Sequence, residues 1–200
     1  MLIADLQDKL KNYDTKTRGY PHSNAKFRQA SVLLPIMEYK DEPTLFMNQR
    51  SLELTYHAGQ ICFPGGRAEE KDADEIATAL RETEEEIGIA QNYIDVMGKL
   101  DRYFTVTGFE ITPVVGRIRT GYDLNPDRGE VGKMFHLPLS TALDPKQFVV
   151  EQMTVGGEVY HYPVLQFNDY KIWGATAGIL VNLMELYDRA QEIEDIHLCK

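Results

Sequence analysis

Apolar residues in this chain fall into short blocks, and the length and content of these blocks predict strands more often than helices. Seven segments fit buried or half-buried strands. Pro35, inside the first of them, predicts a sheet edge or a bulge. The polar stretch 14–26 predicts a loop, and the glycine pair at 156–157 predicts a hairpin turn. The predicted strands are 29–39, 44–50, 93–102, 109–119, 133–139, 148–153 and 158–167.

Three other segments carry core-facing residues at the spacing of a helix face. The first lies at the N-terminus, the second begins after Arg67, and the third runs to about Ala190. A fourth, short helix is predicted near Ser140. The stripes of the three longer helices are Leu2, Leu6 and Leu10; Ile76, Leu80, Thr83 and Ile87; and Ile179, Leu183, Leu186 and Tyr187.

The middle helix places acidic residues on a separate face. No Pro or Gly interrupts residues 67–87, and Gly88 is expected to end the helix. At 100° per residue, Glu82, Glu85 and Glu86 share an arc roughly opposite the core-facing stripe. The sequence therefore predicts three carboxylates side by side on one flank of a helix.

This segment is the most acidic part of the chain. Residues 67–86 hold nine acidic and three basic side chains, and so carry −6 of the chain's net charge of −10. Like charges at i,i+4, such as Glu82 and Glu86, destabilise an isolated helix. A solvated acidic face is the usual meaning of such a run. A hard divalent cation such as Mg²⁺, which takes oxygen ligands, is the other explanation, and residue types alone leave both open.

The spacing resembles the Nudix box, in which Gly precedes a Glu and then the pattern Arg-Glu-apolar-x-Glu-Glu-x-Gly-apolar. Pro64-Gly65-Gly66 match the usual start of the box. Three features depart from it. One extra residue separates Gly66 from Arg81, and Asp72 stands nearest the first acidic position. Thr83 also replaces an apolar residue. The residues that match the second half are Arg81, Glu82, Glu85, Glu86, Gly88 and Ile89.

The residues before the box resemble the signature of the coenzyme A diphosphatase branch of the Nudix family. Arg50, Ser51, Gly59 and 63–66 stand where that signature expects them. Two departures weaken the likeness: Thr55 replaces a second Arg, and the Leu-Leu-Thr lead-in is Phe46-Met47-Asn48. Segments 107–119 and 172–177 are similar to the same branch. Trp173, in the second of these, is expected in the core.

The resemblance covers about residues 29–190 and implies an α/β (α+β) protein with the Nudix fold, an α/β/α sandwich with a mixed β-sheet between helices. It implies metal-dependent hydrolysis of a nucleoside diphosphate linked to another group. The substrate implied first is coenzyme A or an acyl derivative. The alternatives are ADP-ribose or NADH, or a non-catalytic Nudix-like binding module, although such a module is expected to have lost the box glutamates.

The resemblance also assigns roles. The expected ligands of Mg²⁺ or Mn²⁺ are Glu82, Glu85, Glu86 and the carbonyl of Gly65. One glutamate, Glu85 or Glu130, is expected to take the proton of the attacking water, unless Glu130 is a further ligand or an exposed loop acid. Arg81 is expected to orient a glutamate through an ion pair. The predicted catalytic residues are Glu82, Glu85, Glu130 and Arg81.

Four residues are predicted to bind substrate: Arg50, Ser51, His57 and Arg67. Arg50 suits a phosphate, because a guanidinium offers a planar fork of donors, but an Arg that closes a hairpin explains it equally well. His57 either donates to a phosphate oxygen or caps its loop. The residues themselves leave both choices open.

Composition bears on the expected location of the protein and on its expected partners. Hydrophobic residues make up 43% of the chain, enough for a sizeable core, yet no apolar run reaches the 18 or so residues of a membrane span. The two cysteines show no disulfide or metal spacing, and the N-terminus has no signal pattern, so a cytoplasmic protein is expected. The acidic charge argues against nucleic acid as a partner and leaves a small nucleotide. A homodimer is possible.

The expected organisation is one catalytic domain with additions at both ends. Residues 1–28 are predicted to form a helix and loop extension, 29–193 the Nudix domain, and 194–200 a C-terminal tail.

Overall fold

A computed structural model describes residues 2–19, 26–155 and 158–187. Four α-helices and twelve strands form in that part of the chain. The helices are α1 (Leu2–Lys11), α2 (Glu75–Ile87), α3 (Leu139–Ala142) and α4 (Gly174–Tyr187). The strands are β1 (Thr17–Gly19), β2 (Arg28–Tyr39), β3 (Glu42–Arg50), β4 (Ile61–Cys62), β5 (Gly65–Arg67), β6 (Ile94–Lys99), β7 (Arg102–Phe104), β8 (Phe109–Ile118), β9 (Val131–Pro138), β10 (Phe148–Val155), β11 (Glu158–Phe167) and β12 (Tyr170–Ile172).

Nine of these strands join in one mixed sheet. Its main path runs β1-β7-β8-β2-β3-β4, with β5 beside β2, β6 beside β8 and β9 beside β3. Strand β2 lies parallel to β8, and β1 lies parallel to β7. The other described pairs are antiparallel. Strands β10, β11 and β12 form a second, antiparallel sheet.

Helices cover both faces of the large sheet. Because side chains alternate along a strand, β3 sends Phe46 into the core under α2 and sends Leu45 and Met47 into the core shared with α1 and α4. Leu6 of α1 and Leu183 of α4 are fully buried in that second core. This arrangement is an α/β/α sandwich, so the predicted fold class is confirmed. In the described residues, no helix combines the length and apolar content needed to cross a membrane.

The predicted strands and helices all occur, and three differences from the prediction have a clear physical reason. The predicted loop 14–26 contains β1, which forms by pairing with β7, a partner some 85 residues away that local sequence does not reveal. The predicted strand 93–102 divides into β6 and β7 around the buried Asp101. The middle helix starts only at Glu75, because Asp74 caps it there.

Besides β1, three further short strands were not predicted, namely β4, β5 and β12, since two or three residues carry no periodic pattern. Pro35 does lie at an interruption of the sheet: on one side of β2, residues 30–32 pair with β5 and residues 36–39 with β3, so Pro35 falls between the two partners. The hairpin β10–β11 is confirmed. Its turn at 156–157, the predicted end of α4 at 188–190 and the tail 194–200 lie outside the described residues.

Candidate active site

Helix α2 carries the predicted catalytic glutamates and is fixed at both ends. At its N-terminus the Asp74 carboxylate accepts a 2.8 Å hydrogen bond from the backbone N–H of Ala77. At its C-terminus Gly88 adopts the left-handed conformation with φ of 78°, and its N–H donates to the Glu84 carbonyl. The helix packs across β2 and β5, which brings its glutamates against the glycine pair at the start of β5.

The two glycines of β5 touch these glutamates directly. A Cβ on Gly66 would lie 2.4 Å from an Oε atom of Glu82, so any other residue there would displace that carboxylate. The backbone N–H of Gly65 donates to Oε2 of Glu86 at 3.3 Å. The Gly pair, which lies in strand β5, therefore forms the wall of the site.

Arg81 is the centre of an ion-pair network. Its Nε and Nη2 donate to the two carboxylate oxygens of Asp72, both at 2.9 Å, and Nη1 donates to Glu82 at 2.9 Å and to Glu85 at 2.8 Å. Hydrogen bonds from Arg81 hold the pKa of Asp72 well below its usual range, and Asp72 in turn raises the pKa of Arg81. Asp72 thus anchors the guanidinium that contacts two of the predicted site glutamates.

The carboxylates of Glu82, Glu86 and Glu130 act on one another electrostatically. Burial, with added repulsion from Glu130 and Glu82, raises the pKa of Glu86 to about 8, against the opposing effects of the Gly65 N–H and Arg50. Burial also raises the pKa of Glu82, and Glu85 and Glu130 act in the same direction. Glu85 differs, since its side chain is 55% exposed and bound to Arg81.

Glu130 reaches this group through the loop between β8 and β9. Backbone N–H groups of Asn125 and Asp127 donate to the carbonyls of Ile87 and Glu86, at 3.0 and 2.9 Å, and so satisfy the last turn of α2. The Glu130 carbonyl accepts a 2.8 Å bond from the Ser51 N–H. The loop is therefore tied to both α2 and the end of β3.

Arg50 and Ser51 lie at that end of β3. Ser51 is buried and its Oγ accepts from the Glu53 N–H at 3.3 Å. Arg50 has a buried Nε without an acceptor among the described residues, and its charge acts on both Glu86 and Cys62. Burial raises the pKa of the Cys62 thiol to about 12, with Glu86 adding to the effect, so this thiol is protonated and not a nucleophile.

His57 and Arg67 lie further out. His57 is exposed, has φ of 58° and contacts Gln60 through Nδ1 at 2.9 Å. Arg67 is exposed on β5, with its guanidinium 5.3 Å from the centre of the Phe109 ring, while its carbonyl accepts from Arg81. The structure thus groups Arg50 and Ser51 with the glutamates and leaves these two at the rim.

Sequence reasoning missed one member of the group. Asn48 is 1% exposed on β3, and its Nδ2 donates to Glu86 Oε2 at 3.3 Å. The only sequence signal was a polar residue in an otherwise apolar strand, which is compatible with a solvent-facing position as well. Its contact with α2, 38 residues away, depends on the tertiary fold.

The donor chemistry of the group suits a hard divalent cation, which takes carboxylate and carbonyl oxygens. Among the described residues no three acidic, His or Cys side chains are already converged as a ligand set. Glu82 and Glu85 instead form ion pairs with Arg81. Burial is the main cause of the raised pKa values of Glu82 and Glu86, and neighbouring carboxylates add to both shifts. A cation bound there would replace this repulsion with attraction, so these residues fit a divalent metal ion.

Comparison with known proteins shows the family to which the chain belongs. The sequence profile of the NUDIX domain matches residues 27–148. The uncharacterized Nudix hydrolase NudL of Escherichia coli (strain K12) is 39% identical over 156 residues, which cover 78% of this chain and 81% of that protein. NudL of Shigella boydii serotype 18 matches equally. The crystal structure of a NUDIX hydrolase from Alicyclobacillus acidocaldarius has a TM-score of 0.50 at 15% identity, covering 88% of this chain and 99% of that one.

The chain is therefore a member of the Nudix family. It is a hydrolase that acts on pyrophosphate bonds. The Nudix family acts on small nucleotide substrates, which is consistent with a small-molecule partner. Members of this family generally need divalent metal cations.

Proposed function

We propose that this protein is a Mg²⁺- or Mn²⁺-dependent pyrophosphohydrolase that cleaves the diphosphate of coenzyme A or an acyl-coenzyme A. The products are adenosine 3′,5′-bisphosphate and 4′-phosphopantetheine, which keeps its acyl group when the substrate is an acyl-coenzyme A. The observation that carries the proposal is the electrostatic repulsion among the buried Glu86, the partly buried Glu82 and the exposed Glu130, with the Arg50–Ser51 segment beside them. A cation that neutralises the charge of a diphosphate and acidifies a water molecule supplies the chemistry that this set requires.

The residues divide the work as follows. Glu82, Glu85, Glu86 and the Gly65 carbonyl hold the cation, and Arg81 keeps the first two carboxylates in place. Glu130 takes the proton of the attacking water. Glu130 is better supported for this task than Glu85, because Glu85 is engaged by Arg81 at 2.8 Å while Glu130 interacts with both Glu82 and Glu86.

Substrate selection rests on the segment after β3. Arg50 presents a charged fork beside the glutamates and contacts a phosphate of the substrate. The loop that follows exposes two large apolar side chains, Leu52 at 80% and Tyr56 at 78%. They offer apolar contact to a pantetheine arm, a group that ADP-ribose and NADH lack. These two nucleotides remain the alternative substrates, because Thr55 occupies the position of the second signature Arg.

A turnover panel tests the substrate. Coenzyme A, acetyl-coenzyme A, ADP-ribose, NADH and a dinucleoside polyphosphate are each incubated with the protein in Mg²⁺, in Mn²⁺ and with chelator, and the products are separated chromatographically. We expect adenosine 3′,5′-bisphosphate from the first two, formed only with a cation. Faster release of AMP from ADP-ribose or NADH would transfer the assignment to those substrates.

Exchange of one glutamate tests the site. Glu86→Gln keeps the shape of the side chain and removes its charge, so we expect turnover to fall by at least about 100-fold, because several kcal/mol of charge stabilisation depends on the cation. Glu84→Gln is the matched control: Glu84 is exposed on the same helix, outside the glutamate group, and its exchange should change turnover less than about twofold. Near-normal turnover of Glu86→Gln would contradict the assignment.

A further inference from the structure

Strand β3 becomes more polar toward the site along the face that it turns to α2. Phe46 lies in the apolar core under α2, Asn48 comes next on that face and Arg50 ends it. Asn48 is not at an edge, since it pairs with Cys62 of β4 on one side and Met134 of β9 on the other. At 1% exposure its amide has no access to solvent. A polar side chain is therefore buried in the middle of the sheet.

The two ends of this amide have different surroundings. Nδ2 donates to Oε2 of Glu86 at 3.3 Å, and the Gly65 N–H donates to the same oxygen at the same distance. Oδ1 has no donor among the described residues. Nor do the described residues place a donor on the other Glu86 oxygen, Oε1. One carboxylate oxygen is thus held twice, and the other is left without a protein partner.

Stability alone does not account for Asn48. Asn is among the residues least suited to a central strand, and a buried acceptor without a donor is costly. Such a group in a native protein calls for an explanation at the level of function. Residues that hydrogen-bond the carboxylate ligands of a metal orient them, and their exchange typically lowers metal affinity by about 10–100-fold.

We propose that Asn48 is a positioning residue for Glu86: together with the Gly65 N–H it fixes Oε2, so that Oε1 stays available to a divalent cation. The inference rests on the proposed function in one respect, namely that Glu86 binds the cation. It adds a residue outside the glutamate helix whose task is to set the direction of that carboxylate before the cation arrives.

Mn²⁺ binding to the purified protein tests this without substrate. Free Mn²⁺ is measured by electron paramagnetic resonance during titration of the wild type, Asn48→Val, Thr44→Val and Glu86→Gln. Thr44 is the matched control, because it is also 1% exposed on β3 but bonds Met37 and His136 instead of Glu86. We expect Asn48→Val to raise the Kd for Mn²⁺ by roughly tenfold or more, and Thr44→Val to change it by less than about twofold.

Thermal unfolding without metal separates a loss of positioning from a loss of structure. Both Val variants remove one buried polar group, so similar changes in Tm accompanied by different Mn²⁺ affinities support the proposal. If Asn48→Val does not fold, Asn48→Thr supplies the same comparison with a hydroxyl donor, and it should still bind Mn²⁺ more weakly than the wild type but more tightly than Asn48→Ala. Equal binding by the Thr and Ala variants would overturn the proposal.

The same titrations test the metal-binding role of Glu86 and the positioning role of Asn48 separately. If Glu86→Gln weakens Mn²⁺ binding and Asn48→Val does not, the positioning role is wrong and the metal site stands. If Glu86→Gln leaves Mn²⁺ binding unchanged, the metal role of Glu86 fails, and the role of Asn48 fails with it.

Discussion

The surroundings of Asp72 and Glu86 shift the pKa values of these two carboxyl groups in opposite directions. Asp72 receives both arms of the Arg81 guanidinium, which stabilises its charged form and lowers its pKa. Glu86 is 5% exposed, faces other carboxylates, and has a pKa raised to about 8. At neutral pH without metal, Asp72 is therefore ionised and Glu86 mostly protonated. Binding a cation at Glu86 must then release a proton.

This difference predicts how the metal-free protein responds to pH. The folded pKa of Glu86 lies above the unfolded value of about 4.3, so the folded state holds more protons in between. Protonation of Glu86 therefore stabilises the folded state. This stabilisation is complete below the unfolded pKa and is lost as pH rises through about 8. We expect the Tm of the wild type to fall between pH 5 and 8.5 relative to that of Glu86→Gln, which does not titrate there, by about 2–4 °C for each kcal/mol lost. Parallel Tm curves for the two proteins, measured in chelator, would disprove the shift.

At the scale of elements, the loop before β9 connects the end of α2 to Glu130 through hydrogen bonds. Its residues Asn125 and Asp127 satisfy carbonyls of the last turn of α2. Asp127 then organises the turn itself: its carbonyl accepts from the N–H groups of Glu130 and Val131, and its Oδ1 accepts from Gly129 at 2.8 Å. Glu130 is thus presented by a turn that the sequence forms locally and that α2 anchors.

Removing the side-chain part of that turn should separate stability from activity. Asp127→Ala loses one exposed hydrogen bond, worth about 1 kcal/mol, and keeps the backbone bonds to α2. We expect a small fall in Tm but a fall in kcat of about tenfold, because a slight misplacement of a catalytic group is costly. Asp123→Ala, at another exposed acid of the loop, is the control and should leave both unchanged. Unaltered kcat in Asp127→Ala would show that the turn does not position Glu130.

At the scale of the whole molecule, a buried carboxylate joins the N-terminal segment to α4 on the face of the sheet that lies away from the glutamates. Asp101 is fully buried between β6 and β7. Its carboxylate accepts from the Tyr13 hydroxyl and the Lys16 N–H, both at 2.7 Å, and from Arg18, which also pairs with Glu185 of α4. The Asp101 carbonyl accepts from Asn182 of α4 at 3.1 Å. These bonds connect the segment after α1, the sheet and α4 on the side away from the glutamates.

Asp101→Asn should therefore weaken the fold and spare the site. The new amide turns a donor toward groups that are themselves donors, which we expect to cost roughly 2–3 kcal/mol and about 5–10 °C in Tm. Mn²⁺ affinity at a temperature where the variant is folded should stay within about twofold of the wild type. Asp95→Asn, at an exposed acid of β6, is the control and should change Tm little. A Tm for Asp101→Asn equal to that of the control would show that the hydrogen bonds of the Asp101 carboxylate do not stabilise the fold.

The sequence by itself determined the elements and the chemistry of the glutamate helix. Periodicity located the long strands and helices, because an amphipathic repeat is a local property of the chain. The order Arg81, Glu82, Glu85, Glu86, Gly88 was equally local, since one helix fixes the relative directions of its side chains. Both the fold class and the family followed from these residues, together with the motif that they resemble.

Only the tertiary structure decided what stands opposite that helix. The contacts of Asn48 with Glu86 and of Ser51 with Glu130 join residues that are distant in the chain. The short strand at Gly65–Arg67 forms because β2 offers it a partner, although glycines in isolation favour a turn. Burial, which raises the pKa of Glu86, also comes from packing of the assembled sheet. These features depend on which surfaces meet, and local patterns carry no information about that.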